Sequence, residues 1–164
     1  MLVKNGKNFF TTLSDALSKV VVWIITVLTI CLTVVVFLQV VFRYVFSYSF
    51  LWGEEASILC FTWIVFLGTG IGIKEGTHFI VDVFPDSMSE RWNKLLRVLT
   101  SLLVIIAAIV LIVFGISFAK SGLTRYSYST GIPMIIIYVV GPIAGVLTLI
   151  YALENMFGAK KESD

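Results

Sequence analysis

The sequence predicts an all-α integral membrane protein, four transmembrane helices in a single membrane domain spanning residues 1–164. Three observations lead there. Four stretches, Val20–Phe42, Ala56–Ile73, Val98–Phe118 and Met134–Leu153, contain no Asp, Glu, Lys, Arg or His and are 23, 18, 21 and 20 residues long. A hydrocarbon core about 30 Å thick is crossed by roughly 20 helical residues. The chain is 59% hydrophobic and only 13% charged, with mean hydropathy +1.00, against about 45–50% and about 25% for soluble domains. Finally, the Lys and Arg residues gather at the ends of the apolar stretches. Soluble globular, disordered, fibrous and disulfide-scaffold proteins are thereby excluded. The stretches are continuous, not alternating segments of about ten residues, so helices are expected and not a barrel.

Taken in order, the first element is Asn8–Lys19, whose Phe9, Phe10, Leu13, Ala16 and Leu17 share one helical face with Val20. This pattern predicts a short amphipathic helix at the membrane surface; the other reading is an extension of the first span. The span at 20–42 lacks a following small-residue cleavage site, so it is expected to be an uncleaved membrane helix. The connection Arg43–Glu55 carries Trp52, suited to a headgroup belt, and Glu54 and Glu55 at the start of the second span, where the helix dipole favours negative charge. Arg43, ending the first span, is expected to pair with Glu54 or Glu55 and staple the first hairpin, since a charge near lipid is costly without a partner.

The second span, 56–73, contains Gly68-x-x-x-Gly72, and the fourth, 134–153, contains Gly141-x-x-x-Gly145; both let helices approach closely, within this chain or against another. Between the second and third spans lies Lys74-Glu75-Gly76-Thr77-His78-Phe79-Ile80-Val81-Asp82. His78 and Asp82, four residues apart, would share a helix face, with His78 read as an interfacial hydrogen-bonding residue. Ser87-x-x-Glu90 reads as a capping box opening a second amphipathic segment, about 87–97, with Met88, Trp92, Leu95 and Leu96 on its apolar face. The third span is 98–118. The connection Ala119–Pro133 carries Lys120 and Arg125.

Four spans place both termini on one side. That side collects nine Lys and Arg residues against three on the other, so the positive-inside rule predicts cytoplasmic termini. Net charge is only +2, which gives no reason to expect nucleic acid. Cys31 and Cys60 both fall within spans and form no CxxC pair, so they read as small apolar fillers.

The spans are also short of chemistry. A carrier must replace the water stripped from its ion or substrate with ionisable or strongly polar groups near the midplane. Here the spans offer Thr, Ser, Cys, Tyr, the indoles of Trp23 and Trp63, and the amide of Gln39. Backbone carbonyls at a broken helix are a further possibility at Gly68-Thr69-Gly70 or Gly141-Pro142. His78 is the single histidine, so paired haem ligands and nucleophile–base arrangements are missing. No catalytic, cofactor or metal residues are expected, and the chain alone is not expected to run an energised transport cycle.

The layout resembles the small membrane subunit of tripartite ATP-independent periplasmic (TRAP) transporters, the DctQ-like family. The resemblance rests on Phe42-Arg43-Tyr44 through Trp52-x-Glu54-Glu55, then Phe66-Leu67-Gly68, then Lys74 through His78 and Asp82. Ser129-Thr130-Gly131-Ile132-Pro133 before the fourth span, with Tyr138 and Pro142 inside it, adds a second match. It covers nearly the whole chain from the first span onward; Asn8–Lys19 carries no matching motif.

What the resemblance implies is a complex in the bacterial inner membrane. A periplasmic binding protein captures an organic acid, such as a C4-dicarboxylate or sialic acid, and delivers it to a large membrane subunit holding the substrate and sodium sites. The small subunit pairs with the large one, among membrane lipids, and helps form the docking surface. The expected role is therefore a scaffold and anchor, with Lys120 and Arg125 available to acidic patches on the binding protein. Two rival functions are a self-sufficient homo-oligomeric transporter or channel and an assembly subunit of an unrelated membrane complex.

Overall fold

The computed structural model describes residues 9–48, 51–75 and 90–158. Five helices account for most of them: α1 (Phe9–Val45), α2 (Leu51–Lys74), α3 (Glu90–Ser121), α4 (Ile135–Tyr138) and α5 (Val140–Gly158). Four helical segments are long and apolar enough to cross a membrane: Thr11–Val45, Leu51–Lys74, Val98–Ser121 and Ile135–Asn155, the last combining α4 and α5. Each contains or overlaps one of the uncharged stretches.

The 37 residues of α1 extend about 55 Å at 1.5 Å per residue, well beyond a hydrocarbon core of about 30 Å. Its amphipathic beginning is continuous with the span, since no Pro or Gly interrupts residues 9–45. Residues 90–97 likewise run unbroken into α3, while Ser87, Met88 and the start of the capping box lie outside the described residues.

The helices do not close into a four-helix bundle. Helix α1 packs on α2, α2 packs on α5, and α5 packs on α3; α3 touches neither α1 nor α2 among the described residues. The spans thus form an open layer in the order first, second, fourth, third, with α5 also grazing α1. The cause lies in where small residues fall. A Cβ built on Gly145 would lie 3.1 Å from the Ala108 carbonyl oxygen and 3.1 Å from the Ile112 amide nitrogen of α3. Ala108 and Ala144 are almost wholly buried, so α3 and α5 meet nearly backbone to backbone. Of the two anticipated glycine pairs, Gly145 forms a tight contact. Gly68 and Gly141 have nothing within 4 Å of a built Cβ, and Gly72 is half-buried.

The fourth span breaks at Val139, between α4 and α5. Pro142 explains the break: its nitrogen cannot donate to the Tyr138 carbonyl, and its ring crowds that turn. Trp63 of α2 reaches the same region, its indole N–H donating to the Ile136 carbonyl at 3.0 Å. The apolar core is correspondingly thin. Val21, Leu67, Val140, Leu147 and Tyr151 cluster where α1, α2 and α5 converge, whereas Trp23, Phe37 and Phe114 remain about two-thirds exposed. Exposure of that kind is the expected state of a surface solvated by lipid.

These contacts separate two glycine substitutions. Gly122→Ala would place a Cβ 2.7 Å from the Ile135 backbone nitrogen and is expected to destabilise the chain by about 1–3 kcal/mol, the usual range for overpacking. Gly68→Ala, in open space, is expected to be neutral or to stabilise by up to about 1 kcal/mol through helix propensity. Melting temperatures of the purified variants would show the contrast, and equal effects would contradict the packing described.

Candidate functional site

Polar side chains collect at the two ends of the layer. At the end where α1 meets α2 and α3 meets α4, the focus is Glu55, in the second turn of α2. Its carboxylate accepts hydrogen bonds from the Ser127 hydroxyl, from the Thr130 hydroxyl at 3.0 Å and from the Ser129 backbone N–H at 3.2 Å. The Ser127 oxygen in turn accepts from the Thr130 N–H at 3.2 Å. All three partners belong to the connection between α3 and α4.

That connection is folded rather than loose. The Ser127 amide donates to the Ile132 carbonyl at 2.9 Å and the Met134 amide to the Arg125 carbonyl at 2.9 Å, around an isolated antiparallel bridge between Tyr126 and Pro133. Gly131 sits in the turn with φ +68°, a left-handed conformation for which glycine carries no Cβ penalty. The two motifs Trp52-x-Glu54-Glu55 and Ser129-Thr130-Gly131-Ile132-Pro133 are thus in direct contact, although Glu55 and Thr130 are 75 residues apart.

The expected Arg43 staple is not formed. Arg43 makes no ion pair with Glu54 or Glu55; its side chain is exposed, and Glu55 is taken by the Ser127–Thr130 loop. The end of α1 is closed by backbone instead. The amides of Phe46 and Tyr48 both donate to the Phe42 carbonyl at 3.1 Å, with Ser47 at φ +52°. The polar link between α1 and α2 lies one turn deeper, where the Gln39 side-chain amide donates to the Ser57 hydroxyl at 2.9 Å. Trp52, Glu54, Lys120 and Arg125 are exposed at this end.

At the opposite end, Lys74 closes α2. Its ammonium donates to Asp15 at 2.9 Å and to the Ser18 hydroxyl at 2.8 Å, both on α1, and lies 5.5 Å from the centre of the Tyr151 ring of α5. The Ser14 hydroxyl donates to Glu154, and the Asn155 side-chain amide donates to the Ile73 carbonyl at 2.6 Å. One network therefore joins α1, α2 and α5. Sequence reasoning missed it. The available signal was Ser14, Asp15 and Ser18 recurring at helical spacing beside the amphipathic face, with Lys74 and Asn155 at matching span ends.

His78 and Asp82 lie outside the described residues. Trp92 falls within α3, and Pro142 sits in the first turn of α5 below the break in the fourth span. Among the described residues, no three His, Cys, Asp or Glu side chains converge as a metal site would require. The arrangement ties helices together and presents surfaces.

The family profile for the DctQ component of tripartite ATP-independent periplasmic transporters matches residues 32–161. A TRAP transporter small permease protein of Haemophilus influenzae is 24% identical over 110 residues, 67% of this chain and 67% of that protein. The sialic acid TRAP transporter small permease protein SiaQ of Vibrio cholerae is 27% identical over 111 residues, 68% of this chain and 64% of the relative.

Two predictions follow from the clasps. Glu55→Ala is expected to raise amide hydrogen exchange at Ser129 and Thr130 several-fold, while Arg43→Ala leaves it unchanged; the opposite ranking would restore the hairpin staple. Lys74→Met removes the ammonium that Asp15 and Ser18 share. Because Lys74 is 14% and Asp15 41% exposed, the loss is expected at about 1–2 kcal/mol, between surface and buried pairs. Adding Asp15→Asn should recover part of it in a double-mutant cycle of melting temperatures.

Proposed function

The chain belongs to the DctQ family of tripartite ATP-independent periplasmic transporters, a transporter component and not an enzyme, and from that membership we propose that it is the bracing subunit of a sodium-driven importer of an organic acid. The large membrane subunit of the same complex holds the substrate and sodium sites and packs against the apolar faces of the helix layer. A periplasmic binding protein delivers the acid. The chain sits in the bacterial inner membrane with both termini in the cytoplasm, following the excess of Lys and Arg on that side. A C4-dicarboxylate, sialic acid or a similar carboxylate is the substrate class; the Vibrio cholerae relative's name makes sialic acid one candidate.

The observation that carries this reading is the open layer. A row one helix thick encloses no passage, and its exposed surface is mainly apolar over Val20–Phe42 of α1 and Val98–Phe118 of α3. An anion or Na⁺ crossing a membrane needs its hydration replaced from several sides, which a single row cannot do. The same row offers a long surface for another membrane protein. Glu55 and its loop fix the shape of the end that carries Lys120 and Arg125, the surface proposed to meet the binding protein.

The test is reconstitution. The chain co-expressed with its large subunit is expected to co-purify, and proteoliposomes holding both should take up acid only when the binding protein and a sodium gradient are supplied. The chain alone should be silent; flux from it alone would overturn the proposal and favour a self-sufficient oligomer. Charge reversal at Lys120 and Arg125 is expected to slow uptake at low ionic strength and to matter less at high salt, as for steering between exposed charges.

A further inference from the structure

A groove of about 500 Å³ runs between α1 and α2 at the Lys74 end of the layer, within the size range of small-molecule clefts, about 300–1,000 Å³. Its walls are of two kinds. Val22, Trp23 and Ile71 line it with apolar surface, and Lys19 and Glu75 stand at its rim with the Lys74–Asp15 pair. Lys19 and Trp23 are four residues apart and share a face of α1, so Trp23 is rooted about 6 Å further along the helix than Lys19. The charged rim therefore sits at one level and the apolar wall at the next, as in the step from headgroups to acyl chains.

The charges specify the occupant. Lys74 and Asp15 neutralise each other at 2.9 Å. Lys19 and Glu75 are exposed, and neither makes an ion pair among the described residues. The groove thus has no net charge but offers one unspent cation and one unspent anion. We propose that it binds a phospholipid whose headgroup carries both a phosphate and a primary ammonium. The phosphate accepts from Lys19, the ammonium donates to Glu75, and an acyl chain lies along Val22, Trp23 and Ile71. An anionic headgroup would satisfy Lys19 but bring its charge beside Glu75. A quaternary ammonium has no N–H to donate to Glu75, and a free phosphate would leave the apolar wall uncovered.

The experiment uses the purified full-length chain, stripped of lipid in detergent and offered equimolar dioleoyl phosphatidylethanolamine and dioleoyl phosphatidylglycerol, with retained lipid read by native mass spectrometry. One phosphatidylethanolamine per chain is expected. Lys19→Gln and Glu75→Gln should each lower its retention several-fold, and Lys19→Arg should keep it. Glu75→Lys should turn the preference toward phosphatidylglycerol. Both side chains are exposed, so melting temperatures should stay near wild type, and Lys120→Gln at the other end should change nothing. Equal or greater retention of phosphatidylglycerol by the wild type, retention untouched by either Gln variant, or displacement by inorganic phosphate would each overturn the proposal. So would loss of the lipid when the large subunit is bound, which would assign the groove to contact between proteins.

Discussion

The close approach of the fourth span to its neighbours is the contact on which the architecture depends. Helix α5 packs on both α2 and α3 and grazes α1. Toward α3 it presents Gly145 and Ala144, so backbone and small side chains meet without intervening bulk. Toward α2 it presents Leu147, Thr148 and Tyr151, which cover Gly70. In lipid there is little hydrophobic gain from helix association, and close packing with a few hydrogen bonds must supply it. An element with small residues on one face and larger ones on another can seat two partners side by side. Such an element builds a row.

Polar groups inside that row are arranged to cancel locally. Thr26, Thr29 and Thr33 on α1, and Thr62 and Thr69 on α2, each donate to the carbonyl four residues earlier on their own helix at 2.7–2.9 Å. A hydroxyl bonded in this way has its donor satisfied within its own helix and costs little in hydrocarbon. The interhelical bonds are reserved for Gln39 with Ser57, Trp63 with Ile136, and the networks at the two ends. Charge follows the same rule. Lys74 and Asp15 meet at one rim and Glu55 is held by hydroxyl and amide donors at the other, so the apolar thickness between them carries no unpaired charge among the described residues.

Much of this was legible in the sequence, for reasons that can be named. A membrane span is read from a local average, and the four uncharged stretches exceed the required length without ambiguity. The break at Val139 follows from the N–H that Pro142 lacks, which is equally local. The order of helices is different in kind. It depends on which face of each span carries the small residues, and Gly68, Gly141 and Gly145 look alike in sequence although only at Gly145 would an added Cβ strike a neighbour. Glu55 shows the same limit. Proximity in sequence favours Arg43 as its partner, whereas the fold brings Ser127, Ser129 and Thr130 to it from beyond two further spans. The network at the Lys74 end was missed because Ser14, Asp15 and Ser18 resemble the solvated face of an amphipathic helix until Lys74 is placed against them.

The row also explains how so apolar a protein can be stiff. A helix as long as α1, free in a bilayer, would relieve its excess length by tilting. Here it is tied to α2 near one end through Gln39 and Ser57, and to α2 and α5 near the other through Asp15, Ser18 and Ser14. Tilting α1 alone would break links at both ends, so the layer must tilt as one plate or not at all. A plate resists rotation in the membrane far more than a single rod does, because every helix in it must move together. That property is what the bracing role proposed above requires.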